Sequence, residues 1–152
     1  MYDLLEGVDA FVSPVGRLDK DTSGLLILTN DTQLAERLTN PEHKAPKTYL
    51  VKASSRLSDE QLEQLRRGVT LKDGPTRPAV VERLRDSANK SFFEITITEG
   101  RNRQVRRMVE AIGSTVSKLV RTRIGDLEIG GLEIGKHRAL TAEEVRRLKG
   151  VL

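Results

Sequence analysis

The chain has 152 residues, 37% of them hydrophobic but only 3% aromatic, with no Cys, no Trp and a net charge of +4. That length supports one domain around a single aliphatic core; the lack of Cys excludes disulfide frameworks and thiolate chemistry, and two separated His give no zinc-type cluster. No run approaches the roughly 20 apolar residues that cross a bilayer, and the acidic start "MYDLLEGVDA" is unlike a signal peptide, so a soluble cytoplasmic protein without bound metal is expected.

In chain order, "LLILT" after Gly24 reads as a short buried strand bounded by the turn-prone "NDT". Asn30 is expected to cap a helix with Gln33 at capping-box spacing and with Leu34 and Leu38 on one face. "TYLVKA" is the next strand. Ser58 and Gln61 repeat the capping box, Leu62 and Leu65 supply the inward stripe, and Gly68 closes that helix. "KDGPTRP" is turn chemistry leading into the strands "AVVERL" and "SFFEITITEG", where Phe93, Ile95 and Ile97 alternate with Glu94, Thr96 and Thr98. Residues 102 to 112 read as a helix, because Val105, Met108, Val109 and Ile112 follow the i, i+3, i+4, i+7 rule, with Gly113 ending it. "STVSKLVRTRIGDLEI" suits one or two strands, and the near-duplication "DLEIG GLEIG" predicts a tight hairpin around Gly130 and Gly131. Thr141 and Glu144 cap a last helix carrying Val145 and Leu148. The mixture lacks regular βαβ alternation and implies an α+β domain.

Charge is concentrated. Arg101, Arg103, Arg106, Arg107, Lys118, Arg121 and Arg123 face a single acid, Glu110, so residues 101 to 123 carry +6 and the remainder −2. Such a cluster is the footprint of a polyanion binder, with nucleic-acid phosphates first in line, or else a solvated basic face. At about 100° per residue, Arg103 and Arg107 point away from the apolar arc of their helix while Arg106 lies beside it. Arg106 either snorkels into water or is buried against a carboxylate that can hold it bidentately.

"GRLDKDTSGLLILTND" offers the carboxylates Asp19 and Asp21. They could be turn residues, a divalent-ion pair lacking further ligands, or part of a site. Arg17 precedes them, and Thr22, Ser23 and Gly24 follow as small residues that leave a ligand room to approach the backbone.

The stretches "VGRLDKDTSGLLILTND", "KTYLV" and "EGRNRQVRRM", in this order and at roughly these separations, resemble the three core motifs of the RsuA/RluB/RluE/RluF family of ribosomal RNA pseudouridine synthases. The similarity runs on through "LRRGVTLKDGPTRPA" and "RTRIGDLEIGGLEIGKHRALTAEE", so it spans nearly the whole chain, and it is closest to the members acting on large-subunit RNA. The resemblance implies the pseudouridine synthase fold: a mixed, mostly antiparallel sheet with flanking helices and a central cleft. It implies that Asp19 is the catalytic aspartate, that Arg106 pairs with it, that Tyr49 packs against the target uracil, and that Val105 is the base's apolar neighbour. Arg17 would help displace the target base or fill its gap. Arg101, Arg103, Arg107, Lys118, Arg121 and Arg123 would hold phosphates. The reaction implied needs no cofactor and no metal.

Family members usually carry an N-terminal S4-type RNA-binding domain and a first strand with a Lys-Pro-x-Gly motif, and neither precedes "MYDLL"; residues 1 to 152 are therefore expected to be a catalytic domain alone. The expected partner is ribosomal RNA, with no membrane. A monomer is expected, and an exposed sheet edge is the route to a dimer. The rival class is a non-catalytic RNA-binding module derived from such an enzyme. An unrelated α+β binding domain would instead leave Asp19 and Arg106 far apart.

Overall fold

The computed structural model describes residues 5, 7, 11–40 and 45–150. In chain order these form β1 (Ser13–Pro14), β2 (Ser23–Gly24), β3 (Leu28–Thr29), α1 (Thr32–Thr39), β4 (Lys47–Ala53), α2 (Asp59–Arg67), β5 (Thr70–Leu71), β6 (Gly74–Pro75), β7 (Val80–Asp86), β8 (Ser91–Ile97), α3 (Gln104–Ala111), β9 (Val116–Ile124), β10 (Leu127–Glu128) and α4 (Ala142–Gly150). The main sheet runs β10-β9-β4-β8-β7, every pair antiparallel, and β2 joins β9 in parallel. This is the α+β, mixed and mostly antiparallel architecture that the sequence implied.

The inward face of β8 alternates strictly, while β9 and β7 carry register shifts. Val51 of β4, Phe93, Ile95 and Ile97 of β8 and Leu119 of β9 are buried, and α2 and α3 cover them with Leu62, Leu65, Val105, Met108, Val109 and neighbouring apolar groups. The capping box on α2 forms as read: Ser58 Oγ accepts from Gln61 N at 3.1 Å, and Ser58 N donates to Gln61 Oε1 at 2.8 Å. A second, smaller core joins Val15, Leu25, Ile27, Leu34, Leu38, Ile124, Leu127 and Leu148. It lies at the other end of β9, under α1 and α4. The single core expected from length is thus two.

Three local expectations are corrected. "LLILT" is not one strand: Leu25 N donates to Arg121 O of β9 at 2.8 Å, after which the chain leaves that strand, and Val15 N donates to Ile27 O at 2.7 Å as β3 pairs with β1. An apolar run signals burial without saying which neighbour receives its hydrogen bonds. The cap of α1 is Asp31 rather than Asn30, its Oδ1 accepting from Gln33 N and Leu34 N at 3.1 Å each. The strand hairpin turns at Gly125 and Asp126, where Ile124 faces Leu127; Gly130 and Gly131 do form a tight turn, Leu132 N donating to Ile129 O at 3.2 Å, but no strand pair flanks it among the described residues. The terminal cap on α4 is reciprocal as expected, Thr141 N donating to Glu144 Oε1 at 2.9 Å and Glu144 N to Thr141 Oγ1 at 3.1 Å.

Candidate active site

A cleft of about 420 Å³ opens between the two cores. Val15, Ile27, Leu38 and Ile124 line it from the small core, and Ile97, Val105 and Leu119 from the large one. Asp19, Arg17, Tyr49, Val105, Arg101, Arg103 and Arg121 also border it, so most of the predicted site residues converge on one cavity.

Asp19 is delivered by a turn: Thr22 N donates to Asp19 O at 3.0 Å, so residues 19 to 22 reverse the chain just before β2. The turn reading holds, and the same turn sets Asp19 at the cleft. The turn sends the Asp19 side chain, 25% exposed, to the cleft, and the half-exposed Asp21 carboxylate towards α3. Of the small residues that follow, Thr22 lines the cleft and Gly24 serves the fold. Gly24, at φ +117°, lies so close to β9 that a Cβ there would overlap the Arg121 carbonyl, which is the glycine requirement of a close backbone approach.

Arg103, read as part of the preceding helix, is the cap of α3 and has left-handed backbone (φ 51°, ψ 35°), the one non-Gly residue with positive φ among those described. Its guanidinium holds Asp21 bidentately, Nη1 to Oδ1 at 3.0 Å and Nη2 to Oδ2 at 3.1 Å, and stands 4.0 Å from Asp19 Oδ2. Of the two readings of Arg106, burial is the one observed, but its partner is Asp21 rather than the Asp19 that the resemblance implied. Nη2 donates to the Asp21 carbonyl at 2.6 Å, and Nε lies 3.5 Å from Asp21 Oδ1 without hydrogen-bond alignment. Asp21, which spacing could not distinguish from an ordinary turn residue, is thus the strap between the aspartate turn and α3. The Arg103 hydrogen bonds, foremost, hold its carboxyl below the ordinary aspartate range, and the same pair raises Arg103.

Tyr49 lies on the inward face of β4, opposite Arg121 of β9. By strand alternation Lys47 shares that face, and it borders the cleft. Burial, and then the neighbouring Arg121, hold the Lys47 ammonium below the usual lysine range. Glu99, at the end of β8, also borders the cleft but is committed: Arg101 Nε donates to it at 3.0 Å, Gln104 Nε2 at 3.1 Å and Arg77 N at 2.6 Å.

The basic segment does not act as one surface. Arg101 braces the β5–β6 hairpin, donating to Gly74 O at 2.9 Å and also to Pro75 O, and Arg107 grips the tip of that hairpin through Asp73 at 2.8 Å. Arg107 holds the Asp73 carboxyl below the ordinary range. Arg121 is 5% exposed, its Nε donating to Leu25 O at 3.0 Å. Arg123 pairs with Glu128 at 2.5 Å outside the cleft lining. Lys118 faces Lys52 in register, next to inward Leu119, and so points to the opposite side of the sheet from the cleft. Helix periodicity separated Arg106 from Arg103 and Arg107 in the sequence, but the pleat of β9, which divides Lys118 and Arg123 from Arg121, was not applied to the charges. Sequence reasoning also missed Lys47, Glu99 and Asp73; for Lys47 the signal was available, two positions before Tyr49 in a strand.

Comparisons with known proteins agree with this geometry. The family described as RNA pseudouridylate synthase matches residues 2–111. A ribosomal large subunit pseudouridine synthase B of Bacillus subtilis is 44% identical over 151 residues, covering 98% of this chain and 62% of the relative. A ribosomal large subunit pseudouridine synthase E of Xanthomonas axonopodis is 46% identical over 83% of this chain and 74% of its own length. A pseudouridylate synthase crystal structure superposes with a TM-score of 0.84 at 39% identity, over 90% of this chain and 59% of that one. The chain thus spans somewhat under two thirds of the first relative and of that solved structure. With its motifs converging on one cleft, its sheet matching and its identity sustained over nearly its whole length, the chain belongs to the RNA pseudouridylate synthase family, in the RsuA/RluB/RluE group.

Proposed function

We propose that the protein isomerises a uridine to pseudouridine in large-subunit ribosomal RNA, with Asp19 as the chemical group. The observation that carries this is the shared cleft, where Asp19, Tyr49, Val105 and the exposed Arg17 line one cavity between two cores. A uracil inside folded RNA is stacked or paired and must be extruded before its glycosidic bond can break, at a cost of a few kcal/mol. Tyr49 offers the extruded base a flat apolar face, Val105 packs beside it, and Arg17 at the rim occupies the place it leaves. Arg103, at the junction of the aspartate turn and α3, is the arginine best placed to meet the incoming backbone as well as to orient Asp19. The partially exposed Arg101 and Arg107 add positive potential while bracing the hairpin. Isomerisation leaves the composition of the nucleotide unchanged, so no group is transferred from outside and no cofactor is required.

Ribosomal RNA as the proposed partner supports a cytoplasmic location. Arg66 Nε takes up the Val81 carbonyl of the edge strand β7 at 3.0 Å, which blunts that edge and favours a monomer. The test is Asp19→Asn. RNA affinity should stay within a few-fold while pseudouridine formation, measured on ribosomal RNA fragments, disappears; retained turnover refutes the assignment. RNA binding without turnover by the unaltered chain would instead favour the binding-module reading.

A further inference from the structure

Two cations in the cleft have no acid among the described residues to answer them. Among the described residues, Lys47 makes no ion pair, and Arg121 reaches only the Leu25 carbonyl through Nε, with its Nη2 buried and unpartnered. Like charges placed together in a partly dry cavity raise each other's cost, and the Lys47 ammonium is held down first by burial and then by Arg121. The nearby Glu99 does not offset them, since Arg101, Gln104 and the Arg77 amide already hold it. Both cations flank Tyr49. Lys47 is two residues back along β4, about 7 Å by strand rise, and Arg121 is its partner across to β9, about 5 Å between Cβ atoms. A base stacked on Tyr49 lies within reach of both long side chains.

We propose that Lys47 and Arg121 are catalytic residues that stabilise the negative charge the uracil carries when its bond to the sugar breaks. The inference rests on the pseudouridine synthase reading. When C1′–N1 breaks, its electron pair leaves with the uracil and spreads over N1, O2 and O4. After the ring turns, C5 forms the new bond to C1′, C5 loses its proton, and N1 gains one, so atoms and electrons balance. Bound uridine is neutral and draws little on two cations; the departing uracil is an anion and draws on them fully. Fixed charges that meet charge only as it develops act on the barrier rather than on binding. A phosphate anchor would behave oppositely, setting affinity and its salt dependence.

The experiment compares the unaltered chain, Lys47→Met and Lys47→Arg on one ribosomal RNA fragment, measuring single-turnover conversion and the dissociation constant at several salt concentrations. Circular dichroism confirms that each variant is folded. Lys47→Met should slow conversion about a hundredfold while affinity stays within about threefold and the salt slope is unchanged, and Lys47→Arg should recover most of the rate. Weakened affinity with a shallower salt slope and a normal rate would mean a phosphate anchor and overturn the proposal, as would a Lys47→Met rate equal to that of the unaltered chain. If the unaltered chain converts no uridine, the synthase reading fails and this proposal fails with it; if it converts and Lys47→Met matches it, only the proposal falls.

Discussion

The two cores flanking the cleft are built differently. The large core rests on four strands of seven to nine residues and on α2 and α3, elements long enough to be specified locally by alternation, helical stripe or cap. The small core is assembled from two-residue strands, α1, α4 and the far end of β9, and its pieces hold together only through contacts distant in sequence. Asp19 belongs to the loosely built side, and Tyr49 and Val105 to the firmly built one. A proposed site divided in this way depends on what fastens the halves: the β2–β9 pairing and the Asp21 strap to Arg103 and Arg106.

The largest break in that arrangement should come from Gly24→Ala. The added methyl meets the Arg121 backbone rather than a side chain that can swing away, and the positive φ is unfavourable as well, so a loss of roughly 3 kcal/mol is expected. Hydrogen exchange should show β2, β3 and α1 losing protection while β4, β8 and α2 keep theirs; uniform loss across both would show that the two cores unfold as one unit. Asp21→Ala should act next, on function more than on fold. Freed from its strap, the turn no longer fixes Asp19 against α3, and conversion should fall roughly a hundredfold for a displacement near 1 Å; an unchanged rate would mean that the turn positions Asp19 by itself. The smallest effect should be at α4. Glu144 is drawn down to about 2 from its ordinary 4.5, first by Arg138 and then by the Thr141 amide, so its contribution is complete above pH 4.5 and disappears as pH falls through about 2. Acid titration followed by hydrogen exchange in α4 should therefore differ between the native chain and Glu144→Gln at neutral pH and converge near pH 2. A constant difference across that range would exclude this linkage.

The asymmetry between the cores is also the asymmetry in what could be read from residues alone. Phe93, Ile95 and Ile97, the Ser58–Gln61 box and the stripe on α3 are short-range patterns, and each formed as expected. "LLILT" was misread because Leu25 and Ile27 are buried by different partners, and the cap of α1 moved by one residue because Asp31 and Asn30 are both competent and only the path of the chain selects between them. In the site, Asp19, Arg17, Tyr49 and Val105 were legible through the family motifs, whereas Lys118 and Arg123 were assigned to a surface that the pleat of β9 turns away from the cleft.

By itself, the sequence determined the α+β class, the inward faces of the long strands and helices, the place of Arg106 beside the apolar arc of its helix and the grouping of residues into one family's motifs. These follow from periodicities of two and 3.6 residues and from side-chain chemistry, which act over a few positions. Only the tertiary structure decided that Arg106 meets Asp21, that Gly24 admits a neighbouring strand rather than a ligand, and that Lys47 and Arg121 stand unanswered on either side of Tyr49. Each of those depends on which strands become neighbours and in what register, a choice made by the burial of whole faces against each other and carried by no short stretch of the chain.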